Sequence, residues 1–136
     1  MKKKILMIDD EVDFCYFTKK NLENTDEFEV IVENSAVAGI KTAMEKNPDL
    51  VLLDIIMPEL NGSEVAFRLV NNEKTKGIPI IFLTCLAEEK DLNEFDGMRL
   101  IGGRRFLSKP CQTVELVKVI KEVLEEKANE GKTGEG

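Results

Sequence analysis

The sequence predicts an α/β fold, a doubly wound five-stranded parallel sheet built as (βα)5. Two observations carry this. Five short apolar runs recur along the chain, most of them without polar alternation, which suits strands covered on both faces. Each run is followed by a helix-like stretch, and the spacing of roughly 20–28 residues leaves room for a crossover helix each time. The chain has 136 residues and no internal repeat, which predicts one domain.

The first run is 5–8, Ile-Leu-Met-Ile. The helix after it carries Phe14, Phe17 and Leu22 on its inner face, diluted by Thr18 and Asn21, with Cys15 and Tyr16 off that face. The second run, 28–32, alternates more than the others. Its helix takes Ser35 as N-cap and ends before Asn47-Pro48. The third run is 50–53, and the next helix begins after Asn61-Gly62-Ser63 and ends near Asn71-Asn72. The fourth run is 78–83. A helix over 88–99 opens with acidic residues, as suits a helix N-terminus, but offers a core only Leu92, Phe95 and Met98. It should be the least stable helix. The fifth run, 105–107, is short. The last helix has the clearest pattern: Leu116, Val117, Ile120, Val123 and Leu124 share one face, with Val114 and Val119 off it. Apolar periodicity stops near 127. The domain is therefore assigned to 1–126, and 127–136 to a solvated, disordered tail or linker stub.

Composition narrows the chemistry. A net charge of −7, from 26 acidic and 19 basic residues, argues against a nucleic-acid surface. The absence of histidine excludes Ser-His-Asp and Cys-His catalysis, His-ligated zinc, and a phosphohistidine on this chain. Cys15, Cys85 and Cys111 lie far apart with no C-x-x-C, so neither a disulfide framework nor a zinc knuckle is indicated, and a reducing cytoplasm fits best. The basic start is followed by an apolar run too short for a signal peptide, which needs ~7–15 residues. No run approaches the ~18 apolar residues of a membrane span.

In such sheets ligands bind at the carboxyl ends of the strands. The first strand ends in Asp9-Asp10-Glu11, the third in Asp54, the fourth in Thr84 and the fifth in Ser108-Lys109-Pro110. These ends point the same way, so carboxylates, a hydroxyl and an ammonium converge on one rim. Crowded carboxylates raise one another's pKa unless a cation neutralises them. All-oxygen ligation in an open, hydrated site suits Mg²⁺. A metal, a lysine and a hydroxyl around one carboxylate make a receptacle for a dianionic phosphoryl group. The carboxylate can itself be the nucleophile, giving an aspartyl phosphate. Asp54, which ends a central strand before a long loop, is the best candidate. Singly, each residue has a plainer reading: a capping aspartate or threonine, a solvated lysine, a core phenylalanine at Phe106. Their joint occurrence at successive strand ends outweighs those readings.

Five motifs extend the pattern: Ile-Asp-Asp-Glu at 8–11, Pro-Asp-Leu-Val-Leu-Leu-Asp at 48–54, Met-Pro at 57–58 with Asn-Gly at 61–62, Ile-Pro-Ile-Ile-Phe-Leu-Thr at 78–84, and Phe-Leu-Ser-Lys-Pro at 106–110. With them the chain resembles, over residues 2–126, the receiver domain of bacterial two-component response regulators, and among these the chemotaxis-type single-domain receivers. The resemblance implies a flavodoxin-like strand order 2-1-3-4-5 and a cytoplasmic phospho-acceptor switch, not a turnover enzyme. It implies that Asp54 takes a phosphoryl group from a phosphohistidine on a histidine kinase or histidine phosphotransfer protein, with Mg²⁺. Asp10 would bind the ion directly and Asp9 largely through water, with Asp54 and the backbone carbonyl of Ile56 completing the set. Thr84 and Lys109 would contact the phosphoryl oxygens, across a cis Lys109–Pro110 bond. Thr84 and Phe106 would be the switch pair, remodelling the face made by the 88–99 helix, the fifth strand and the last helix. Implied partners are a downstream protein target or an output domain, and a phosphorylation-dependent homodimer, with no direct contact to nucleic acid or membrane. The first-helix surface around Cys15 and Tyr16 would dock the kinase.

The chain departs from the pattern at particular places. Ile56 and Leu86, two residues after Asp54 and Thr84, are both apolar. They should exclude hydrolytic water and slow dephosphorylation. Arg104-Arg105 replaces a common acidic pair, either as solvated surface charge or as a contact to an acidic partner. Two other functions are weighed. A Mg²⁺-dependent phosphohydrolase of the haloacid-dehalogenase type needs a second aspartate where Ile56 stands. A protein-binding pseudo-receiver would lack Asp54, Lys109 or the acidic pair, and all are present. No G-x-G-x-x-G follows the first strand, which disfavours a nucleotide-binding Rossmann domain.

Overall fold

A computed structural model describes residues 2–84, 105–109 and 111–133. The helix expected over 88–99, together with Cys85, Leu86, Arg104 and the Lys109–Pro110 bond, lies outside the described residues. In chain order the elements are β1 (Lys3–Ile8), α1 (Val12–Glu23), β2 (Phe28–Glu33), α2 (Ala36–Lys46), β3 (Leu50–Asp54), α3 (Gly62–Val70), β4 (Ile80–Thr84), β5 (Arg105–Ser108) and α4 (Thr113–Thr133). The strands are parallel and ordered β2-β1-β3-β4-β5, as the sequence implies. Among the described residues no helix is long and apolar enough to cross a membrane.

The two-residue repeat of the strands divides the core into two layers. Ile5 and Met7 of β1, Leu50 and Leu52 of β3, and Ile81 and Leu83 of β4 join a cluster with Cys15 and Leu22 of α1 and Leu116, Val119, Ile120 and Val123 of α4. The alternate residues, Leu6, Ile8, Val51, Leu53, Ile80 and Phe82, join Ala36 and Ala43 of α2 and Val65, Ala66 and Leu69 of α3. Burial on both faces is why these strands read as unbroken apolar runs.

Helix ends follow local chemistry. The Ser35 hydroxyl accepts from the Ala38 N–H at 3.4 Å, and Asn61 Oδ1 accepts from the Glu64 N–H at 3.0 Å. Asn47 closes α2 in the left-handed region, at φ 47°.

Three expectations need correction. On α1 the buried stripe is Cys15, Thr18 and Leu22, with Phe14 half-buried; Phe17 is 60% exposed. The stripe i, i+3, i+7 starts at Cys15, whose small thiol fits under the end of β1, whereas Phe17 turns outward and stacks edge-on with Tyr16 at 5.3 Å. Cys15 is therefore not a surface residue, although Tyr16 is. On α4 Val119 is buried beside Leu116, Ile120 and Val123, so the apolar face is wider than the stripe predicts. Finally, α4 does not stop near 126 but continues to Thr133. Glu125, Glu126, Lys127 and Ala128 are strong helix formers, and a Lys127–Glu130 pair at 3.9 Å adds local support without apolar contact.

Gly39 of α2 sits against β1 so closely that a Cβ there would lie 2.6 Å from Ile8 Cδ1. Alanine adds helix propensity, about 1 kcal/mol, but overpacking costs about 1–3 kcal/mol. Gly39→Ala should lower the urea midpoint in the parent chain and lower it less in an Ile8→Val background.

Candidate functional site

The chain leaves β1 toward β2 on one side and returns to β3 on the other, so the order reverses between β1 and β3. A crevice forms there, above the carboxyl ends of the strands. Ile8 pairs with Leu53, which sets Asp9 beside Asp54. The two-residue repeat then selects the face. Met7, Leu52 and Leu107 all point toward α1 and α4, so Asp9, Asp54 and Lys109, two residues on, point the same way.

Asp9 is fully buried and held at every backbone and side-chain position except one. Its N–H donates to the Glu33 carbonyl at 3.1 Å. Its own carbonyl accepts from Asn34 Nδ2 at 2.9 Å and from the Cys15 thiol at 3.4 Å. Its Oδ1 accepts from the Glu11 N–H at 2.9 Å. Its Oδ2 lies 2.8 Å from Lys109 Nζ, but no donor meets it in hydrogen-bonding geometry. Asp54 is also buried, and its Oδ1 accepts from the Ile56 N–H at 3.2 Å.

Lys109 closes the site. Its side chain is 4% exposed, and Nζ contacts Asp9 at 2.8 Å, Glu11 Oε1 at 2.5 Å and Asp54 Oδ2 at 3.5 Å. The Phe14 ring lies 4.7 Å from the same nitrogen. Burial opposes the charge on Lys109, but the close Asp9 and Glu11 carboxylates, with the Asp54 charge, outweigh it and push its pKa up. The Asp54 pKa also rises, which for a carboxylate disfavours the charged form. Burial, then the Asp9 charge, push it up from 3.8 to about 6, with Lys109 opposing. The Cys15 thiol is pushed up to about 12, chiefly by burial and then by Asp9.

The donor set fits a divalent cation. Oxygens of Asp9, Glu11 and Asp54 lie within 4.8 Å of one another. One ammonium does not neutralise three carboxylates. Hard oxygen ligands in this arrangement suit Mg²⁺.

Of the residues expected at the site, the structure brings together Asp9, Asp54 and Lys109. Asp10 is exposed and outside that cluster. Thr84 is the last residue of β4, paired with Ser108 of β5. Phe106 is half-buried and stacked on Phe82, with ring centroids 5.1 Å apart. Ile56 is 52% exposed beside Asp54. Arg105 pairs with Glu122 at 2.9 Å and Glu126 at 3.5 Å, both on α4 of the same chain. Sequence reasoning gave no role to Glu11 beyond its place in a carboxylate run, and none to Asn34. Glu11 is 98 residues from the lysine it holds, and no local signal links them.

This geometry has known relatives. The family model for the response regulator receiver domain matches residues 5–121. The chain belongs to the response regulator receiver family. It is 35% identical over 121 residues to protein PilH of Pseudomonas aeruginosa, covering 89% of this chain and 97% of that one. It is 32% identical to the alkaline phosphatase synthesis transcriptional regulatory protein PhoP of Bacillus subtilis, where the match covers 91% of this chain but 49% of the relative. Among solved structures, a CheY-like receiver domain protein from Methanospirillum hungatei JF-1 superposes with a TM-score of 0.82 at 27% identity, covering 96% of this chain and 99% of that one. As a receiver, the protein is a component of phosphorelay signalling through two-component systems, and its acidic cluster is compatible with Mg²⁺.

The raised pKa of Asp54 has a sign. The folded chain holds this proton more tightly than the unfolded chain, so stability falls as pH rises from about 4 through about 6. Asp54→Asn, measured in chelator, should be more stable than the parent at pH 8, by up to about 3 kcal/mol, and should lose that advantage at pH 4. A second prediction concerns the loop after β3. A Cβ at Gly62 would lie 2.6 Å from the Asp54 carbonyl oxygen and 2.7 Å from Ile55 Cα, both backbone atoms. Gly62→Ala should displace the strand end. It should weaken Mg²⁺ binding, measured by calorimetry, and also lower the melting temperature.

Proposed function

We propose that this receiver is a phospho-acceptor switch in which Asp54 is the accepting residue. The observation that carries the reading is the single buried ammonium of Lys109 reaching Asp54 and Asp9 together from three strand ends. In the reaction, an Asp54 carboxylate oxygen attacks the phosphorus of a phosphohistidine on a histidine kinase or phosphotransfer protein. An O–P bond forms, the N–P bond breaks, and the imidazole leaves and takes up a proton. A resident Mg²⁺, held by Asp9, Asp54 and the Ile56 carbonyl, and by Asp10 once it turned in from its exposed position, would supply charge neutralisation for the incoming phosphoryl oxygens. Lys109 and Thr84 orient those oxygens, and Asp54, with a pKa near 6, is mostly ionised and nucleophilic at neutral pH.

The exposed Ile56 supports a switch over a turnover enzyme. It places an apolar side chain where a phosphohydrolase of the aspartyl type would need an acid, and it screens the site from water. Slow autodephosphorylation follows. Val12 and Tyr16, one turn apart and both exposed on α1, offer an apolar strip beside the site for the phosphohistidine partner. Readout passes through Thr84 and Phe106 to the face of β5 and α4, toward a downstream protein or an output domain, in the cytoplasm.

The test is intact mass after incubation with acetyl phosphate and Mg²⁺. The parent should gain one phosphoryl group, Asp54→Ala none, and chelator should abolish the gain. Lys109→Ala should keep its fold and lose most of the product. The modified parent should persist for minutes or longer. Decay within seconds would remove the shielding role of Ile56.

A further inference from the structure

Lys109 is shared unequally among its three carboxylates. The contact to Glu11, at 2.5 Å, is the shortest and is a hydrogen bond. The contact to Asp54, at 3.5 Å, is the longest. The fourth side of the ammonium is closed by the Phe14 ring. A lysine has three N–H donors and no acceptor, so a donor turned toward one oxygen is withdrawn from another.

The Glu11 carbonyl opens α1 by accepting from the Cys15 N–H at 3.0 Å, but its carboxylate takes no part in the helix. Glu11 occupies the N-cap position of α1, but its side chain makes no capping hydrogen bond. The turn into α1 is held instead by Asp9 Oδ1, which accepts from the backbone N–H of Glu11. The Glu11 side chain is 58% exposed while the Lys109 side chain is 4% exposed. Glu11 therefore lies over the ammonium from the solvent side and ties the end of β1 to the end of β5.

We propose that Glu11 is a positioning residue that competes with Asp54 for Lys109. It holds the ammonium on its own carboxylate while Asp54 is unmodified and must release it when a phosphoryl group arrives. This rests on the reading of Asp54 as the acceptor. A phosphoryl oxygen on Asp54 adds a further acceptor to an ammonium whose three N–H donors already face three carboxylates, so the exposed Glu11 contact has to give way. The incoming dianion also meets the Glu11 charge as a repulsion. Both effects set the unmodified state lower relative to the phosphorylated one. Glu11 thus limits the extent of phosphorylation at a given donor supply without touching the reacting atoms.

The experiment uses the full chain with beryllium fluoride and Mg²⁺ as the phosphoryl mimic, followed by NMR titration. Glu11→Gln keeps the shape and removes the charge. It should bind the mimic about two- to fivefold more tightly than the parent, the scale of a partly exposed charge pair. In the mimic-free protein the Lys109 side-chain resonance should move while the α1 backbone amides stay in place. Glu11→Asp keeps the charge with a shorter reach and should fall between the two. Equal or weaker binding by Glu11→Gln, in a chain that does bind the mimic, overturns the competition. So does a loss of Mg²⁺ affinity of about tenfold in Glu11→Gln, which would make Glu11 an ion ligand instead. If the parent fails to bind the mimic at all, the reading of Asp54 falls, and this proposal with it.

Discussion

One ammonium set among three carboxylates is the constraint on which the site depends. Lys109, Asp9 and Asp54 are each nearly inaccessible, and a buried charge is stable only when paired. The pairing is incomplete by count. That shortfall shows in the raised pKa of Asp54, which burial and the Asp9 charge push up. The site stores an unbalanced negative charge that only an added cation, or a proton, removes. The acidic cluster, compatible with Mg²⁺, therefore carries a repulsion that a cation relieves.

The sheet makes this possible with little local specialisation. Strand alternation turns Asp9, Asp54 and Lys109 to one side, and strand order brings β1, β3 and β5 to one rim. The same alternation fills both faces with apolar contacts, which hold the strand ends against the repulsion at the rim. Loops contribute the fine placement. Gly62 lets the loop after β3 close against the Asp54 carbonyl, with the Gly62 N–H donating to Ile55 at 2.5 Å.

Much of this was legible in the sequence. Apolar runs at strand spacing marked all five strands, and acidic or basic residues at their ends marked Asp9, Asp54 and Lys109. The cap at Ser35 was readable from residue type, whereas α3 begins at Gly62, before the Ser63 boundary expected, because Asn61 caps it. The misreadings have separate causes. Phe17 is the larger apolar residue but Cys15 faces the core, because helix phase is set by what fits beneath β1 and not by side-chain size. Val119 was excluded because a narrow stripe was assumed. Helix α4 continues past its last apolar contact because helix propensity and a local ion pair suffice over two turns. The role of Glu11 was not legible at all, since it depends on a tertiary contact to a residue near the other end of the chain. Arg105 is similar: its partners, Glu122 and Glu126, are spaced one turn apart, but only the packing of β5 on α4 brings them to it.

The thiol beneath Asp9 has a consequence for durability. Cys15 donates to the Asp9 carbonyl, is almost wholly buried, and has its pKa pushed up to about 12. Thiolates, not thiols, react with peroxides, disulfides and alkylating agents. At neutral pH almost none of this sulfur is in the reactive form. Cys15 is thus chemically silent while the fold is intact. Oxidation of the Cys15 sulfur would therefore record that the domain had opened.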